Sequence, residues 1–170
     1  MDFFNLIQTR CSVRLYQDTP VEPEKLQKIF AAANLAPSAG NLQAYEIYVI
    51  TDLKQKQGLV KAALGQEFLA QAPVDLVFCA NPQRSAIKYG KRGVELYSIQ
   101  DATIACTFAM LAAHALGLAT VWVGAFQEEP VRQVANILAE LLPVAILPIG
   151  YAAESPNPRS RRKLEDLVHY

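Results

Sequence analysis

The chain has 170 residues, 52% of them hydrophobic and 19% charged, which fits one packed domain and excludes the charge-rich, aromatic-poor makeup of disordered chains. Lysine plus arginine equals aspartate plus glutamate at 16 each, so no global field favours nucleic acid or an anionic membrane, and any anion site must be local. Cys11, Cys79 and Cys106 are odd in number and scattered through apolar runs, which suggests neither a disulfide framework nor a zinc site and points to a reducing, cytoplasmic setting.

Met1 to Gln8 lacks the basic start and long apolar stretch of a secretory signal. Phe3, Phe4 and Ile7 suggest a short opening helix that ends near Arg10. Pro23 suits the first turn of a second helix, in which Leu26, Ile29, Phe30 and Ala33 form an apolar stripe. Pro37 stops that helix at Asn34 to Ala36, and Ser38, Ala39, Gly40 and Asn41 continue as a loop of small residues.

Tyr45 to Ile50 reads as a strand, with Thr51 and Asp52 as caps for a helix from Leu53 to Leu64. Val74 to Ala80 reads as a buried strand, broken by Asn81 and Pro82. A long helix from Val94 to Leu116, ended by Gly117, is apolar on nearly every side, which implies burial on more than one face, within the fold or against a partner. Its most apolar part, Ala102 to Leu118, falls short of the ~20 residues that span a bilayer. Ala119 to Val123 reads as a strand, Pro130 to Leu141 as an amphipathic helix and Val144 to Ile149 as the last core strand. After Gly150 the chain turns polar and proline-rich through Glu154, Ser155, Pro156, Asn157 and Pro158, then basic at Arg159, Arg161 and Arg162; such a tail rarely packs on its own core. The intermingled elements, without a regular βαβ alternation, predict a single α+β domain with a mixed sheet flanked by helices, with a doubly wound sheet as the second reading.

Several enzyme signatures are absent: no Gly-rich dinucleotide fingerprint after a strand, no P-loop lysine, no HExxH and no paired CxxC. Of the two histidines, His114 falls inside the buried helix and His169 near the end, which argues against a Ser-His-Asp relay. Two arginine pairs at opposite ends remain, Arg10 with Arg14 and Arg159 with Arg161. Arginine guanidinium groups bind phosphate oxygens bidentately, and Ser12 adds a hydroxyl beside the first pair. Taken alone, each pair reads first as a solvated basic face. Ala36 to Gln43, which alone is only a turn, offers small residues and amide groups for close approach of a planar ligand. Trp122 to Phe126 offers a strand end with free backbone N–H groups that could donate to a ring heteroatom.

Taken in order, these segments resemble the nitroreductase family of flavin-mononucleotide (FMN) enzymes over essentially the whole chain. Arg10 to Arg14 is similar to its Arg-x-Ser-x-Arg motif, Ala36 to Gln43 to its Ala-Pro-Ser-x-x-Asn-x-Gln loop, and Gly65, Gln66 and Phe68 to its Gly-Gln-x-Phe stretch. Asp101 to Phe126 resembles its Asp-led helix with the Trp-x-Gly-Ala-Phe strand end, and Gly150 to Leu164 its closing segment. The resemblance implies a nitroreductase-like, domain-swapped homodimer whose tail, 151–170, wraps the partner subunit. It implies that Arg10 and Ser12, with Arg159 and Arg161, hold the FMN phosphate, that Cys11 belongs to the same cofactor-binding segment, and that Arg14 and Gln66 lie at the pyrimidine edge. Gly124 and Ala125 would present N–H groups to the ring, while Pro37, Ser38 and Asn41 would come from the other subunit. NADH or NADPH would supply hydride and a nitroaromatic, quinone or similar small molecule would accept it, with the flavin, not a protein acid or base, carrying the chemistry. Gln43 is followed by Ala44 and Tyr45 where many members have Pro-Trp, which puts the pocket wall in question. The helical excursion that covers the site in longer members would lie in the polar segment 81–93, expected to form a mobile lid. Two alternatives stand beside this reading: a dehalogenase-like or flavin-destroying protein of the same fold, and a non-catalytic dimeric domain.

Overall fold

A computed structural model of the chain describes residues 2–156 and 159–170, so Met1 and the expectations on Asn157 and Pro158 lie outside the described residues. The element order is α1 (Phe3–Thr9), α2 (Pro23–Asn34), β1 (Tyr45–Ile50), α3 (Leu53–Ala62), α4 (Phe68–Gln71), β2 (Val74–Ala80), α5 (Pro82–Arg92), α6 (Ser98–Ala115), β3 (Ala119–Thr120), α7 (Glu128–Val134) and β4 (Leu142–Gly150). The four strands lie in the order β1-β2-β4-β3 and pair antiparallel. Among the described residues, parallel pairing is confined to one bridge between Ser12 and Thr120.

Helices cover both faces of the sheet. Along β2, Val74, Leu76 and Phe78 pack with Ile29 and Ala33 of α2 and with Ala105, Ala109 and Ala113 of α6. Val77 and Cys79 point the opposite way, into a second core with Leu59, Leu69 and Val131 from α3, α4 and α7. This alternation is the period of two that a strand dictates, and both faces are dry because every residue of β2 is buried. Pro23 stands at the start of α2, and Asp52 caps α3 by accepting from the Gln55 N–H at 2.9 Å, both as the sequence predicts.

The long helix expected from residue 94 begins earlier and is broken. The helical run from Pro82 to Ala115 has the length and composition to cross a membrane, yet it is divided at Gly90 and at a wider turn over Gly93–Tyr97. Its α6 portion buries Ala102, Ala105, Cys106, Ala109 and Ala113 against the sheet and α2. Its outer side keeps Phe108 partly exposed.

The strand expected over 119–123 is interrupted. Ala119 and Thr120 pair with Gly150 and Ile149, and Val123 pairs with Ile146 in the same register. The ladder lapses between them opposite Pro148, which has no N–H to donate. The helix expected to reach Leu141 ends at Val134, because Asn136 takes a left-handed conformation and the Arg132 guanidinium bonds the carbonyls of Leu138, Ala139 and Leu141 instead. The start of the tail pairs with the N-terminal segment: Gln17 N–H donates to the Tyr151 carbonyl at 2.9 Å and Ala153 N–H to that of Leu15 at 2.8 Å. From residue 159 onward every residue is exposed.

One buried group is poorly served. Asp75, fully buried in β2, has no hydrogen-bond partner on either carboxylate oxygen among the described residues. Lys56, whose charge reaches it, gives its ammonium to the Ala72 carbonyl at 2.9 Å. Burial pushes the Asp75 carboxyl well above the usual range, offset only in part by Lys56. The folded state therefore holds this proton after the unfolded state has lost it. Stability falls as pH rises from ~4, the unfolded value, towards the higher folded value, by up to about 1.4 kcal/mol per pH unit. Asp75→Asn should remove that slope, so chemical denaturation at pH 5 and pH 8 should show the variant gaining on the parent at the higher pH; a constant difference would refute the assignment.

Candidate functional site

The first expected site segment is pinned as it leaves α1. Asp2 caps that helix, and Arg10 closes it with its N–H on the Leu6 carbonyl. The chain then becomes extended: Ser12 bridges Thr120, and Val13 N–H donates to the Thr120 carbonyl at 3.0 Å. Val13 and Tyr16 are buried, leaving Arg10, Cys11 and Ser12 half-buried and Arg14 exposed. This segment, anchored to β3, borders a cleft of about 360 Å³ whose lining includes Arg10, Cys11, His114, Thr120, Glu154 and Ser155, but not Ser12 or Arg14.

Two residues of this cleft went unassigned in the sequence. His114 is not a core residue: it is half-buried, and its Nε2 lies 3.1 Å from the Thr9 hydroxyl. Burial first, and the Arg10 charge second, hold its pKa below the ordinary value, so it is neutral at pH 7. Glu154 approaches from the tail, and its carboxylate accepts the Arg14 backbone N–H at 2.5 Å. The segment therefore already carries an anion on one of its own donors, and its donor set suits a phosphate.

The loop Pro37–Gln43 is built by side chains folding onto their own backbone. Ser38 Oγ accepts from the Gln43 N–H at 2.9 Å, and Gln43 Nε2 reaches the Asn41 carbonyl and side chain, each at 2.6 Å. Asn41 and Gln43 take left-handed backbone conformations. The loop is fastened to α6 by Asp101, a buried carboxylate that accepts from Ala39 N–H at 2.9 Å and Ala44 N–H at 3.2 Å. The sequence marks Asp101 as the head of a helix motif but not as this clamp, because its partners lie about 60 residues earlier. Pro37, Ser38 and Ala39 line a second depression, of about 500 Å³, with Tyr97 and Ile104.

A third set comes together through Gln66. Its Nε2 donates to the Ala125 carbonyl at 3.0 Å and to that of Ala63 at 2.9 Å. Gly124 and Ala125 are exposed, and neither N–H has a hydrogen-bond partner among the described residues. Two adjacent free amides held by a neighbouring side chain can donate to a ligand at little reorganisation cost.

Arg159 and Arg161 are exposed and bond to nothing among the described residues. The expected clamp of four groups on one phosphate is therefore not assembled within one chain, since neither Arg159 nor Arg161 is among the described residues that line the cleft. Cys79 and Cys106 are buried and Cys11 half-buried, all as free thiols; burial pushes Cys79 up to about 12, in keeping with a packing role. Among the described residues no cluster of histidine, cysteine or acid side chains could hold a metal ion.

An antiparallel sheet between helical layers, with an arginine-bearing cleft and exposed backbone donors, defines a small α+β protein built to bind an anionic, planar cofactor. The sequence profile described as the Nitroreductase family matches residues 7–67 and 57–151. The chain is 33% identical over 171 residues to an FMN reductase [NAD(P)H] of Bacillus subtilis, covering 93% of this chain and 69% of that one. It is 31% identical over 165 residues to an oxygen-insensitive NADPH nitroreductase of Salmonella typhimurium, covering 93% and 69%. Among solved structures, NfrA2 of B. megaterium superposes with a TM-score of 0.91 at 29% identity, covering 98% of this chain and 72% of that one. The chain belongs to the nitroreductase family. It is accordingly an NAD(P)H-dependent flavin oxidoreductase with FMN as its cofactor.

Proposed function

We propose that the chain passes hydride from NADH or NADPH, through bound FMN, to a small electron-poor acceptor such as a nitroaromatic or a quinone, and that it does so as a homodimer. The observation that carries this reading is the division of the site within one chain. Of the cofactor-binding candidates, Arg10 and Cys11 border one cleft, while Pro37 and Ser38 line another. A second subunit that brings its Pro37–Asn41 loop to the first cleft would complete the set.

The surface supports that assembly. Phe3 and Phe4 of α1, and Leu164, Leu167 and Val168 of the tail, are exposed apolar side chains. A partner wrapped by residues 151–170 would bury them. When bound, FMN supplies the hydride chemistry. The residues of this chain would bind and orient it: Arg10, Ser12, Arg159 and Arg161 on the phosphate, Arg14 and Gln66 at the pyrimidine edge, Gly124 and Ala125 as backbone donors to the ring, and Ser38 and Asn41 from the partner.

An absorbance spectrum of the purified protein followed by anaerobic titration tests the reading. A yellow protein bleached by NADH or NADPH, and reoxidised by a quinone, is the expected result. A flavin-loaded protein that reduces neither nitroaromatics nor quinones would overturn the acceptor class, and a monomer in sedimentation at micromolar concentration would overturn the shared site.

A further inference from the structure

Positive charge in this chain is balanced overall, yet α5 concentrates it. The eleven residues Pro82–Arg92 include Arg84, Lys88, Lys91 and Arg92 and no acid. Two of these charges are committed: Lys91 pairs with Glu95 at 3.6 Å, and Arg92 Nε donates to the Tyr97 hydroxyl at 3.0 Å. The nearby Glu46 carboxylate is taken by Asn81 at 3.1 Å. Gly90, at φ 52° and ψ −135°, turns the chain between the two pairs, a conformation that favours glycine.

Arg84 and Lys88 lie one turn apart on a single face of α5, and that face meets the Pro37–Gln43 loop. Arg84 Nε donates to the Leu42 carbonyl, which anchors the side chain and leaves its terminal nitrogens without a partner among the described residues. Lys88 folds over Gly40 so closely that a Cβ there would lie 2.9 Å from its ammonium and 2.5 Å from the Tyr89 hydroxyl. Its ammonium makes no hydrogen bond or ion pair among the described residues; its one contact of charge is the Tyr89 ring, 5.5 Å away. Through Tyr89, which stacks edge-on against Tyr97 at 5.0 Å, this cationic face joins the depression lined by Pro37 and Ser38.

We propose that Lys88, with Arg84 beside it, is a recognition site for a phosphate of the nicotinamide dinucleotide. The inference rests on the reading that the Pro37–Asn41 loop borders the flavin. A reductant whose nicotinamide approaches that loop carries its phosphates outward, and α5 sets the Lys88 ammonium and the free terminal nitrogens of Arg84 beside that loop. An ammonium on a flexible stem suits a mobile dianion, and a neutral overall surface leaves this patch as a local attractor for it. Either the 2′-phosphate of NADPH or the pyrophosphate common to both dinucleotides has the required chemistry.

Calorimetric titration of the FMN-loaded protein with NADP+ and with NAD+, in the parent, Lys88→Ala and Lys88→Arg, separates the outcomes. Loss of one charge-assisted contact should weaken binding roughly tenfold in Lys88→Ala, with the flavin content and melting temperature of the parent, and Lys88→Arg should restore most of it. Weakening for NADP+ alone assigns the 2′-phosphate; equal weakening for both assigns the pyrophosphate. Unchanged affinity for both dinucleotides, in a protein whose flavin NADH or NADPH reduces, overturns the site, as does loss of flavin from Lys88→Ala, which would make Lys88 a flavin ligand. A loaded parent that neither nicotinamide reduces would instead overturn the functional reading beneath it.

Discussion

Arg10→Ala is expected to bind FMN roughly 10- to 100-fold more weakly than the parent, the cost of one charge-assisted contact at about 1.5–3 kcal/mol. Arg10 sits where α1 ends, half-buried on the wall of the cleft, and its own fold contribution is a backbone bond to Leu6 that alanine retains. The substitution should therefore separate binding from folding. Equilibrium dialysis against FMN, read beside the melting temperature, distinguishes the two. A variant that retains FMN as well as the parent would show that the phosphate lies elsewhere. Glu154 offers an internal comparison: it brings a negative charge to the same segment, so Glu154→Gln should strengthen FMN binding by a few-fold, most clearly at low salt.

Asp101→Ala is expected to cost about 3 kcal/mol of stability, since it orphans two backbone N–H groups whose individual penalties are about 1–3 kcal/mol. Ala44 is fully buried and Asp101 nearly so, so water cannot take the place of the carboxylate without opening the loop. For a domain of this size the loss corresponds to a fall of roughly 6–12 °C in melting temperature. The larger consequence is functional, because Asp101 is what holds the Pro37–Gln43 loop against α6. Calorimetry checks the first part and FMN affinity the second. A variant with the parent's melting temperature would mean that the loop is held by its own Ser38 and Gln43 bonds.

The elements that were legible from the sequence are those set by local chemistry. β2 follows from a run of strand-forming residues between Pro73 and Asn81, and α2 from Pro23 and a stripe at helical spacing. The early break of the ladder after β3 was not legible, because Pro148 lies far from Thr120 in the chain and matters only once β4 is paired beside it. The shortening of α7 has the same character: Arg132 turns back to bond three carbonyls of the following loop, a geometry with no periodic signature.

The site divides along the same line. Sequence alone picked out Arg10, Ser12, Ser38, Gln66, Gly124 and Ala125, because their residue types and order match one family. It also implied FMN. What only the tertiary structure decided is which groups meet. Gln66 clasps Ala125, Asp101 ties the loop to α6, and His114 emerges from a helix that looks buried throughout. Lys88 and Arg84 come to face the same loop, while Arg159 and Arg161 are not among the described residues that line the cleft Arg10 borders. The reason is physical: residue type and spacing fix what a segment can form with its near neighbours. Pairings between segments tens of residues apart, by contrast, depend on how the whole chain closes around its two cores.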